Sequence, residues 1–267
     1  MKIFLGVVLA LFLSGPACAG GDSPFTGVLR DFVDESGLVD YAGLKANAAR
    51  LDAVVAGIAQ HDPAVYASWK ESDRLAFWLN TYNALTLKLI ADHYPIEPAP
   101  GRQKHPANSI QQIPNAWTGV RFSVMGKERT LDEIEHKIIR ADFKEPRVHF
   151  ALVCAALSCP PLRREPYVGE KLDAQLDDQA RRFFSDLRNL HVDREKNEVW
   201  VSRIIQWFAD DFAPGVMEKH PRDVAERKAV LAAVTPYVDA QAKAYLETGT
   251  YRVHFFEYDW TLNERTK

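Results

Sequence analysis

The stretch 72–93, SDRLAFWLNTYNALTLKLIADH, constrains the fold more than any other part of the chain. Leu75, Phe77, Trp78, Leu79, Tyr82, Leu85, Leu89 and Ile90 keep helical spacing, yet in the first half they fall on almost every side of the helix. A helix that is apolar all round has no face to give to water, so the other elements must be wrapped around it. Asn80 and Asn83 lie three apart on one face of that helix. A buried amide left unpaired costs about 1–3 kcal/mol, so both must be hydrogen-bonded, either tying down neighbouring loops or serving in a site.

The elements available for wrapping are short. Ser23-Pro24 starts a helix with Val28, Leu29, Phe32 and Val33 on one stripe, and Gly37 ends it. Spacing through Leu44, Leu51, Val54, Val55 and Ile58 predicts another helix, and Asp62-Pro63 begins a shorter one. Residues 94–117, with five prolines, form a loop long enough to be functional or mobile. Around Gly126-Lys127 a β-hairpin is expected, and a second around 194–197. Residues 171–187 and 204–212 read as helices, the latter anchored by Ile204, Ile205, Trp207, Phe208 and Phe212. A long helix over 223–246 should break near Pro236, and 252–258 is expected to add a late strand. Helices around a small mixed or antiparallel sheet make an α+β fold.

The chemistry concentrates in 130–167, TLDEIEHKIIRADFKEPRVHFALVCAALSCPPLRREPY. Thr130 and Glu133 form a capping box for a helix whose apolar face is Ile134, Ile138 and Ile139, and Glu135 and His136 leave that helix side by side. The run 148–154 is apolar and β-rich and is expected to be a strand buried on both faces, with Cys154 at its end. The following loop reaches Cys159 and is stopped by Pro160-Pro161.

A thiol attacks as its thiolate, and an ordinary cysteine with a pKa of ~8.5 needs a cationic or imidazole neighbour to react at neutral pH. On a regular strand His149 lies about 16 Å from Cys154, too far to serve it, and meets Cys159 only if the loop folds back. His136, on a separate element, has no such restriction. The arrangement expected for catalysis is therefore Cys154 as nucleophile, His136 as general base and then acid, Asn83, Asn80 or a carboxylate such as Glu135 orienting the ring, and the Ala155 and Ala156 amides as an oxyanion site. The competing expectation is a structural disulfide between Cys154 and Cys159; a pair cycling between thiol and disulfide is a third, although the spacing is not Cys-x-x-Cys. No regular ligand spacing points to a metal, and no phosphate loop points to a cofactor.

At these residues the chain resembles a family designated only as a domain of unknown function, DUF547. The pieces that carry the resemblance are VDYAGL (39–44), FWLNTYNALTL (77–87), LDEIEHKIIR (131–140), HFALVCAALSCPPLRREPY (149–167) and YDWTLN (258–263). Some members have been likened to papain- and transglutaminase-like cysteine enzymes, so the resemblance implies a thiol chemistry. Here His136 precedes Cys154, which makes any such core a permuted one.

The chain opens with Lys2, an apolar segment over 3–13 and an Ala17-Cys18-Ala19 cut site, which reads as a signal peptide over 1–19 followed by one domain over 20–267. Attachment of lipid at Cys18 is the alternative, but Gly15 stands where a large aliphatic residue is usual. Export to the periplasm or beyond puts the two remaining cysteines in an oxidising compartment. With a formal charge of −3 and no long charged run, nucleic acid is not an expected partner, and no second segment is apolar enough to span a bilayer. Two functions follow: a thiol-dependent hydrolase or acyltransferase acting on a small-molecule or peptide-like amide, and a non-enzymatic binding or scaffold protein with a structural Cys154–Cys159 disulfide.

Overall fold

The structure is a computed structural model and describes residues 23–265. Its axis is the helix Glu71–His93, in which every residue from 75 to 87 is buried. Trp78 and Leu85 are 3% and 0% exposed, as a helix apolar on all sides requires. Helices Tyr41–Ala46 and Ala48–Gln60 cover one side of it, with Pro24–Phe32 packed behind them, and the π-wound helix Glu133–Phe143 covers another. Local signals set several of these ends. Ser23, Asp40 and Asp62 accept hydrogen bonds from backbone N–H groups of the first turns they precede. The Thr130–Glu133 capping box is closed in both directions at 3.1 Å.

The fold is α+β, with two small sheets. Strands β1 (Phe122–Val124) and β2 (Lys127–Arg129) form the first hairpin. Strands β3 (Leu190–Asp193) and β4 (Glu198–Val201) form the second, and β5 (Arg252–Phe255) joins β4 in parallel. The expected 204–212 helix is two short ones, Arg203–Trp207 and Ala209–Phe212, broken at Phe208. Past Val234 the long helix gives way to a 3-10 turn, Thr235–Tyr237, and resumes at Ala240. The expected signal peptide lies outside the described residues.

The run 148–154 is not a strand. Pro146 opens a 3-10 helix, Pro146–Phe150, with the Glu145 carboxylate accepting from the Arg147 N–H, and Ala151 and Leu152 both donate to the Val148 carbonyl. Burial alone produced the apolar run: Val148, Ala151, Leu152 and Val153 belong to the apolar cluster around the central helix, whereas Phe150 belongs to a second cluster. That second cluster contains Phe183, Val199, Val201, Ile205 and Val230. The 146–154 segment thus passes along the junction of two cores. No ladder holds it there; the Asn83 side chain does, donating to the Ala151 carbonyl at 3.0 Å and accepting from the Val153 N–H at 2.9 Å. Asn80 makes the same pair of bonds with the carbonyl and N–H of Tyr167, each at 2.8 Å. Both asparagines therefore tie down loops.

Candidate active site

A cavity of about 260 Å³ opens at this junction. The central helix contributes Tyr82, the π-helix contributes Asp132, Glu135 and His136, and the irregular segment contributes His149, Leu152, Cys154 and Cys159. The end of the long proline-rich loop adds Gln111 and Trp117, and the broken 203–212 helix adds Trp207 and Phe208. That loop is pinned by Gln112, whose amide donates to the carbonyls of Arg102, His105 and Pro106.

Cys154 and Cys159 are joined in a disulfide across the 155–158 turn, with Cα atoms 6.0 Å apart. Ala155 turns the chain in the left-handed region at φ 61°. Cys154 is half-buried on the cavity side and Cys159 is buried. The Tyr258 hydroxyl lies 3.3 Å from Cys154 Sγ and 3.2 Å from Cys159 Sγ. Burial, and secondarily the charge of Glu135, pushes that phenol far above the usual tyrosine range, so it stays protonated and able to donate. Tyr82 is pushed up in the same way, by burial and then by the charge of Glu135.

Both His136 and His149 line the cavity with Cys154. An extended strand would hold His149 out of reach of Cys154, but on a 3-10 helix followed by a turn both residues line one cavity. His149 Nε2 is 2.7 Å from Asp211 Oδ2, and its ring stacks on Phe208 with centroids 3.7 Å apart. The carboxylate accepts, so Nε2 carries the proton, and Nδ1 has no hydrogen-bond partner among the described residues. Burial pushes His149 below its ordinary pKa despite the bond to Asp211, leaving the ring neutral with one free lone pair. Asp211 is held well below the usual carboxylate range: burial opposes ionisation, but hydrogen bonds from His149 and Arg140 overcome it. Arg140 reaches Asp211 with two nitrogens, at 2.6 and 2.8 Å.

His136 is engaged on both sides. Arg140 Nη1 lies 2.9 Å from Nδ1, and a guanidinium can only donate, so Nδ1 accepts and the ring proton sits on Nε2, 3.6 Å from an Asp132 oxygen. Its lone pair is therefore occupied. Neither expected oxyanion donor lines this cavity: Ala155 and Ala156 are both absent from its wall, and Ala156 borders a second cavity with Gly37 and Pro161. Asn80 and Asn83 do not line the cavity; Asn83 acts on it only by holding the segment that does.

Sequence reasoning missed Asp211, Arg140 and Tyr258. The signal for Asp211 was indirect: a histidine inside an apolar run needs a buried partner, and Asp210-Asp211 follow Trp207-Phe208 within the only acidic pair of that region. Trp207, expected as a core anchor, is 47% exposed at the cavity.

Residues 66–184 match the family described as "Protein of unknown function, DUF547", and the chain carries a domain of that family. The matched span includes the central helix, the π-helix and both cysteines, whereas Trp207, Asp211, Tyr258 and Trp260 lie beyond it. No curated protein and no solved structure matches the chain.

Proposed function

We propose that this DUF547-domain protein is an exported, thiol-dependent hydrolase or acyltransferase acting on peptide-like amides, with Cys154 as nucleophile, His149 as base and Asp211 as the residue that orients it. The observation that carries this reading is a cavity-facing cysteine sharing one cavity with a neutral imidazole whose Nε2 proton is fixed by a carboxylate and whose Nδ1 is free. The disulfide is the resting form. An external dithiol supplies two electrons and two protons, freeing both thiols. Cys154 Sγ then attacks the amide carbon while His149 Nδ1 takes the thiol proton. The protonated Tyr258 hydroxyl, beside the sulfur, donates to the carbonyl oxygen as it becomes an oxyanion. As the C–N bond breaks, His149 returns the proton to the leaving nitrogen, and water or an amine resolves the thioester. The signal-peptide pattern at the N-terminus supports placing this chemistry in the periplasm or outside.

A second reading rests on the disulfide itself. With both sulfurs against the Tyr258 hydroxyl and Cys159 Sγ accepting from the Cys154 N–H, the bond pins the 155–158 turn, as a non-enzymatic binding or scaffold protein would need. Incubating reduced and oxidised protein with p-nitrophenyl acetate separates the two. The first reading expects a burst and a +acetyl adduct mapped to Cys154 from reduced protein only, retained in Cys159→Ser and His136→Ala and lost in Cys154→Ser and His149→Gln. A reduced protein that forms no adduct leaves the scaffold reading.

A further inference from the structure

Four aromatic rings gather along the wall of the cavity: Trp260 lies 5.9 Å from Trp117, 6.2 Å from Trp207 and 4.7 Å from Tyr258, centroid to centroid, and Trp207 lies 4.8 Å from Tyr258. Leaving an indole such as Trp207 half in water at a cavity mouth marks a contact surface for a ligand. The charge of the cavity is one-sided. Asp132 and Glu135 line it, and among the described residues no lysine or arginine does. Among the described residues Glu135 has no ion-pair partner within 4 Å; its charge is felt at the neutral phenols of Tyr82 and Tyr258, at His149 and at Arg140. Arg140, which touches the cavity residues His136 and Phe208, is already paired with Asp211.

We infer that this aromatic-walled, acidic cavity binds an alkylammonium group, the end of a lysine-like side chain on the amide substrate. Ring faces attract cations through their quadrupoles, and Glu135 and Asp132 add a net negative potential that a neutral or anionic ligand does not use. Size agrees: 260 Å³ falls below the ~300–1,000 Å³ typical of sites for whole drug-sized ligands and suits one side chain. The inference names a substrate class for the acyl-transfer reading, but binding of the cation does not require a free thiol.

The test is therefore run on the oxidised full-length protein, so that its failure is separable from failure of the thiol chemistry. Nα-acetyl-lysine methylamide and its neutral isostere Nα-acetyl-norleucine methylamide are titrated while tryptophan fluorescence is followed. The lysine compound should bind about tenfold more tightly, as a desolvated cation over aromatic faces beside a carboxylate would. Salt should weaken it, and Glu135→Gln, which removes the charge at nearly constant size, should bring the two ligands level. Trp207→Leu, at an exposed position, should cut lysine-compound affinity without loss of fold. Equal binding of the two ligands by the unaltered protein overturns the inference. So does tighter binding of a neutral N-acetylglucosamine oligomer, or a lysine preference that survives both substitutions.

Discussion

Asn83→Ala tests whether the site is held by a side chain in place of a β-ladder. The amide makes two bonds to the 151–153 backbone, at 3.0 and 2.9 Å, from a position that is 3% exposed. Truncation orphans a buried carbonyl on Ala151 and a buried N–H on Val153, neither of which has another hydrogen-bond partner among the described residues. Each unsatisfied group costs ~1–3 kcal/mol, so the substitution should destabilise the protein by about 2–6 kcal/mol, minus whatever water recovers. Urea unfolding with the disulfide intact measures it. Asn83→Asp should fall in the same range, because an acid keeps the acceptor for Val153 but places a negative oxygen against the Ala151 carbonyl. Hydrogen exchange at Val153 and Cys154 should rise by more than at β3 or β4. A loss below ~1 kcal/mol with unchanged exchange would refute the argument, since the segment would then be holding itself.

Two further outcomes are expected. Because burial lowers the His149 pKa, the unfolded chain takes up a proton below about pH 6.5 that the folded chain refuses, so stability should fall with falling pH by up to ~1.4 kcal/mol per unit. Urea midpoints between pH 7.5 and 5 should show this slope, and His149→Gln should flatten it; an unchanged slope contradicts a buried neutral ring. Leu85→Ala, at 0% exposure in the central helix, should cost about 2–5 kcal/mol in the same unfolding assay, and a smaller loss would place that helix outside the core.

Features whose cause is local were legible in the sequence. The capping box at Thr130 and Glu133, the break near Pro236 and the buried central helix follow from a few neighbouring residues. The error at 148–154 has a physical origin, because burial on all sides erases periodicity. Six apolar residues and a histidine between Arg147 and a loop then read alike as strand or compact turn. What decided the matter was Asn83, some 70 residues upstream, which replaces the ladder partner. That one misassigned segment also put His149 out of reach of Cys154, because their separation followed from an extended chain.

The remaining illegible part is the Arg140–Asp211–His149 contact, and its position explains why. Arg140 leaves the π-helix that covers the central core, Asp211 belongs to the short Ala209–Phe212 helix beside the second core, and His149 sits on the segment between them. A carboxylate there has to compensate two partners at once: the arginine's charge and the imidazole's fixed N–H. Either bond alone would leave a desolvated group incompletely paired. The imidazole can be kept neutral and aimed only when both cores are packed against each other, so the chemistry of the cavity is a property of their junction and no single stretch of sequence contains it.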